Sequence, residues 1–114
     1  MATHPLRGSL FENLVIMEAL KRRFNAGKKS DLSFYRDSSG LEIDLVAGST
    51  AAMRPVEIKS GETVNPDYFA NLHKFSKLFP AAGKAGLVYA GDAAGERNGI
   101  NYFPPQHLRA FLDK

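Results

Sequence analysis

Two spacings of apolar residues alternate along this chain, and the switches between them mark its elements. From residue 9 to residue 26 the apolar positions (Leu10, Phe11, Leu14, Val15, Ile16, Met17, Leu20, Phe24) recur at helical spacing. Ser9 stands as an N-cap with Glu12 three residues on, the capping-box spacing, and Gly27 follows as a stop. So many apolar positions leave little polar face, which predicts a helix buried on more than one side.

The period then changes to two. Residues 31–36 read as a strand closed by the turn Asp37-Ser38-Ser39-Gly40, and residues 41–47 and 54–59 as two more, joined by a small-residue loop over 48–52. Connections this short favour antiparallel neighbours, a three-strand meander. Helical spacing returns over 66–79, with Asn65 as cap and Phe69, Leu72, Phe75, Leu78 and Phe79 as the apolar stripe; Pro80 and Gly83 end it. Residues 85–90 read as a buried strand and 100–103 as a shorter one, and Pro104-Pro105 opens a last short helix through Leu112. The order is α-β-β-β-α-β with a β-α tail. It implies an α/β fold, a mixed central sheet flanked by helices.

With 114 residues, 44% of them hydrophobic, the chain has the make-up of one domain able to bury a core without staples. The absence of cysteine excludes a disulfide framework, a thiolate zinc site and a cysteine nucleophile. Apolar runs fall short of the ~18 residues that span a bilayer. The opening Met-Ala-Thr-His-Pro-Leu-Arg lacks the apolar core of a signal peptide, so a soluble cytoplasmic domain is expected. The net charge of +3 is uneven: seven basic and three acidic residues up to Arg36, eight basic and nine acidic thereafter. A basic first third suits contact with phosphates. It equally suits a helix end, where Lys21, Arg22 and Arg23 complement the dipole.

Alternation also arranges chemistry. In 41–47, Leu41, Ile43 and Leu45 are expected on one face and Glu42, Asp44 and Val46 on the other; in 54–59, Glu57 and Lys59 oppose Val56 and Ile58. If the apolar sides face the core, Asp44, Glu57 and Lys59 converge, at a cross-strand distance of ~5 Å that lets two carboxylates share a cation. Two carboxylates and a lysine suit phosphodiester hydrolysis: Mg²⁺ or Mn²⁺ takes oxygen ligands from Asp44 and Glu57 and acidifies a water. Lys59 then holds the attacking water or neutralises the phosphorane charge. The competing reading is a solvated strand face with cross-strand ion pairs worth ~0.2–1 kcal/mol each.

Asp44, a gap of twelve residues, then Glu57-Ile58-Lys59 in an α-β-β-β-α-β order resembles the PD-(D/E)XK nuclease superfamily, the restriction-endonuclease-like fold shared with archaeal Holliday junction resolvases. More closely, Gly8-x-x-Phe11-Glu12-Asn13, Tyr35-Arg36, Glu42-Ile43-Asp44 and Glu57-Ile58-Lys59-Ser60-Gly61 resemble the carboxy-terminal domain that follows an AAA-type ATPase module in many bacterial and archaeal proteins. This resemblance implies a three-layer core and a terminal domain or fragment of a longer, ATPase-containing chain. It implies Asp44 and Glu57 as metal ligands, Glu12 as a supporting acid on the first helix and Lys59 as the catalytic lysine. The proline that names the motif is replaced by Ile43. On the helix after the motif, related nucleases often carry Gln or Tyr against the substrate; Gln is missing, which leaves Tyr68, His73 and Lys74.

Two roles stay open for Glu12, the capping box and metal support. Arg36 can meet a phosphate, with an ion pair to Asp37 or Glu42 as the plainer role. His4, His73 and His107 show no zinc spacing, and Gly91-Asp92-Ala93-Ala94-Gly95 lacks the Gly-Lys-Ser/Thr ending of a P-loop and reads as a turn. The expected function is Mg²⁺- or Mn²⁺-dependent DNA hydrolysis. The alternative is a non-catalytic module that binds DNA or protein, or forms a homodimer, beside an AAA-type ATPase.

Overall fold

The computed structural model describes residues 5–25, 32–48 and 53–112. Asp31, the Gly27 stop, His4 and loop residues 49–52 lie outside the described residues, as do the side chains of Arg22 and Arg23. Helix α1 (Pro5–Asn25) leads into strands β1 (Leu32–Arg36), β2 (Glu42–Ala47) and β3 (Arg54–Lys59). A 3-10 turn (Pro66–Phe69) runs into α2 (Ala70–Leu78), followed by β4 (Gly86–Tyr89), β5 (Gly95–Arg97) and β6 (Ile100–Phe103). A second 3-10 turn (Pro105–His107) opens α3 (Leu108–Leu112).

The strands form one six-stranded mixed sheet in the order β1-β2-β3-β4-β6-β5. The expected meander is present: β1, β2 and β3 pair antiparallel. Strand β4 is parallel to both β3 and β6, with α2 as the crossover from β3. All four residues of β4 are buried, as befits a parallel strand covered on both faces. On one face Val15 and Ala19 of α1 and Leu108, Phe111 and Leu112 of α3 pack over Leu45, Val56, Ile58, Val88 and Phe103. On the other, Phe69, Leu72 and Phe75 cover Ile43, Val46, Leu87 and Ile100. Helix, sheet and helix make three layers.

Four sequence expectations change. Helix α1 begins at Pro5, a turn before Ser9, because proline is tolerated in a first turn that needs no N–H partner. Ser9 is therefore inside the helix, and the expected capping box with Glu12 does not form. Nor is α1 buried on several sides: Val15 and Ala19 face the sheet, whereas Leu10, Leu14 and Met17 are exposed at 54%, 69% and 62%. The sequence reading also missed β5, which pairs antiparallel with β6 across Asn98-Gly99. Both turn residues have positive φ, 52° and 85°, as a two-residue hairpin loop requires.

The fourth change concerns β2. Ser33 pairs with Val46 but Tyr35 pairs with Ile43, so Phe34 alone opposes Asp44 and Leu45. This is a β-bulge, and it breaks the period of two. Ile43 and Val46 fall on the α2 side and Leu45 and Ala47 on the α1 side, rather than Leu41, Ile43 and Leu45 together. The break lies at Asp44.

Candidate active site at the split between strands β2 and β3

The β2–β3 ladder runs from Ala47 opposite Arg54 to Leu45 opposite Val56. The next pair in register is Asp44 and Glu57, and here side chains take the place of the ladder. The Asp44 backbone N–H donates to Glu57 Oε1 at 3.1 Å, and the Ile58 backbone N–H donates to Asp44 Oδ2 at 2.8 Å. Each carboxylate thus satisfies a backbone donor that the split would otherwise leave without a partner.

Glu57 is buried, with 2% of its surface exposed. Its second oxygen, Oε2, accepts from Asn71 Nδ2 at 3.4 Å and lies 3.8 Å from Lys59 Nζ. Burial, and then the Asp44 charge, push its pKa from 4.5 up to about 7 against the opposing pull of Lys59. Glu12 reaches the same place from the helix layer. It lies three and seven residues before Val15 and Ala19, on the face of α1 that meets the sheet. Burial, a hydrogen bond with the Asp44 carboxyl and the Asp44 charge raise its pKa to about 7, and Lys59 again opposes the rise. Asp44 therefore stands between two carboxyls that hold protons near neutrality.

Lys59 ends β3 with Nζ 5.9 Å from the centre of the Tyr68 ring. Tyr68 is held in turn by Gly61. A Cβ at that position would overlap the Tyr68 hydroxyl, so the Gly in Lys59-Ser60-Gly61 leaves room for the ring. Asn65 caps the following 3-10 turn by accepting from the Asp67 N–H at 2.9 Å, which fixes where Tyr68 and Asn71 emerge. An open groove of about 400 Å³, lined by residues of the 61–66 loop and Tyr68, adjoins the site.

Of the residues singled out from sequence, Glu12, Asp44, Glu57, Lys59 and Tyr68 come together. Arg36 does not join them: it is exposed and pairs with Glu42 at 3.4 Å, the plainer of its two expected roles. Lys74 is exposed on α2, one turn beyond Asn71. His73 is half-buried on α2 and His107 exposed near α3. Asn71 was missed. Its signal was a polar residue one helical turn after Tyr68 in a segment whose inward face is otherwise aromatic and aliphatic.

Among the described residues, no group of three or more His, Asp or Glu side chains is arranged to hold a metal ion by itself. Nor is any helix among them long and apolar enough to cross a membrane. The family model described as a domain of unknown function, DUF4143, matches residues 7–108, which takes in every residue of the site. No curated protein matches the chain.

Proposed function

Because the chain belongs to the DUF4143 family, we propose its function from the site itself: a divalent-metal-dependent nuclease domain that hydrolyses DNA phosphodiester bonds. The observation that carries this reading is the meeting of Glu12, Asp44 and Glu57 with Lys59 where β2 and β3 part. The donor set suits a hard cation. Burial first, and then the Asp44 carboxylate, leave Glu12 and Glu57 holding protons near neutrality that a divalent ion would displace. Asp44 and Glu57 would hold Mg²⁺ or Mn²⁺, with Glu12 supporting Asp44, and waters and substrate oxygens would complete the shell. Such an ion, when bound, supplies a Lewis acid and an acidified water.

The chain's own residues do the rest. Lys59 carries a cationic head beside Glu57, placed to hold an attacking water or to neutralise charge on the phosphorane. Tyr68 positions Lys59, and Asn71 steadies the free oxygen of Glu57. The groove beside Tyr68 gives a strand room to approach. The element order and the Asp44…Glu57-x-Lys59 spacing support assignment to the PD-(D/E)XK superfamily.

A second reading has its own observation. The exposed Leu10, Leu14 and Met17 lie on one face of α1, which favours a protein-contact or dimerisation module beside an AAA-type ATPase. Incubation with linear and supercoiled DNA in Mg²⁺ or Mn²⁺ separates the two. Metal-dependent cleavage that Lys59→Ala abolishes is the result expected of the nuclease. Self-association lost in Leu14→Glu with no cleavage would replace it with the second reading, and a salt-sensitive gel shift without cleavage would replace it with a non-catalytic DNA-binding module.

A further inference from the structure

On the opposite side of the sheet, two basic side chains and a histidine from separate segments share one cleft. Arg54 opens β3, Lys84 precedes β4, and His107 ends the turn before α3; with Tyr102 and Phe111 they line a cavity of about 210 Å³. Among the described residues, no carboxylate lines it. Among the described residues Arg54, Lys84 and His107 have no ion-pair partner, in contrast to Arg36 and Lys59.

Arg54 is the fixed member. Its Nη1 donates to the Phe111 carbonyl and its guanidinium lies 5.8 Å from the centre of the Phe111 ring, so the planar fork is oriented before any ligand arrives. The remaining guanidinium N–H groups, the Lys84 ammonium, the His107 imidazole and the Asn101 amide are the polar heads of the cleft, and Phe103 and Phe111 give it aromatic walls. Like charges gathered without a counter-charge repel one another, and a compact anion with several acceptor oxygens reverses that balance.

We propose that this cleft binds the phosphate group of a small phosphorylated ligand. The site is separate from the carboxylates. Arg54 shares the α3 side of β3 with Val56 and Ile58, whereas Glu57 meets Asn71 of α2, and Arg54 and Lys59 are about 17 Å apart along the strand. The inference therefore stands or falls independently of the nuclease reading.

The test is a titration at low ionic strength, followed by calorimetry and amide NMR, with inorganic phosphate, adenosine monophosphate and a short 5′-phosphorylated DNA strand as probes. Saturable phosphate binding is expected, with resonance shifts around Lys84, Asn101 and His107. Lys84→Glu and His107→Glu, both exposed positions at which the fold should persist, are expected to weaken binding by about tenfold or more. Lys77→Glu, an exposed charge on α2 outside both sites, is expected to leave it unchanged. Tighter binding of the mononucleotide would assign the phosphate to a free nucleotide and supports the proposal; tighter binding of the strand would make the ligand a nucleic-acid end and overturn it. No saturable binding, binding indifferent to both charge reversals, or shifts confined to residues 57–61 that vanish in Lys59→Ala would overturn it.

Discussion

Replacing Glu57 with Gln should make this protein more stable at neutral and alkaline pH, and the reason lies in the site. Glu57 is buried beside Asp44, and its pKa is raised from 4.5 to about 7. Between those values the folded chain keeps a proton that the unfolded chain has released. Stability therefore falls as pH rises from about 4.5 to about 7 and levels off above. A rise of this size corresponds to about 3 kcal/mol lost at pH 8 relative to pH 4.5, a large share of a small domain's stability. Glu12 acts in the same direction from a less buried position. Gln keeps the oxygen that accepts the Asp44 N–H and carries no charge at any pH; its NH2 replaces the oxygen that accepts from Asn71, and a turn of the Asn71 amide lets it donate to Asn71 Oδ1 instead. Urea unfolding of the metal-free wild type and Glu57→Gln at pH 5 and pH 8 measures the difference. The wild type should lose stability between the two pH values, and the variant should lose distinctly less and surpass the wild type at pH 8. A wild type equally or more stable at pH 8, or a variant with the same pH loss, would refute the reasoning. Saturating Mn²⁺ at pH 8 should restore the wild type and leave the variant nearly unchanged.

Other substitutions probe the supports of the site. Gly61→Ala places a methyl group against the Tyr68 hydroxyl; it should cost about 1–3 kcal/mol in thermal or urea unfolding and reduce metal-dependent cleavage, because Tyr68 no longer positions Lys59. Phe75→Ala empties a fully buried position where Tyr35 and Phe79 pack edge-on and tilted against the ring, and should destabilise by about 3–5 kcal/mol in urea unfolding.

Much of this architecture is legible in the chain because apolar spacing and burial obey the same geometry. The meander of β1, β2 and β3, the buried strand from Gly86 and the Phe69, Leu72 and Phe75 part of the α2 stripe follow from it, while Leu78 at the end of that stripe is exposed. Other features follow from geometry that spacing does not encode. The bulge at Asp44–Leu45 left one trace, the apolar Val46 at a position where strict alternation calls for a polar residue. Its consequence, carboxylates standing in for ladder bonds, depends on pairing with β3. The start of α1 was hidden because Ser9 and Glu12 form a plausible cap in sequence, while Pro5 begins the helix earlier and frees Glu12 to turn toward Asp44. Asn98-Gly99 was a readable hairpin signal for β5, but the strands it joins are three and four residues long, too short for alternation to register. Helical spacing in α1 could not show which apolar residues lack a covering layer; only the docked helix separates Val15 and Ala19 from Leu10, Leu14 and Met17.

Calorimetric titration of Mn²⁺ into the wild type and Asp44→Ala at pH 8 addresses the metal site most directly, since it needs neither a substrate nor a partner. Saturable binding in the wild type that disappears in Asp44→Ala is the expected result. Equal binding in both proteins, or none in the wild type, would contradict a metal centre built on Asp44 and Glu57.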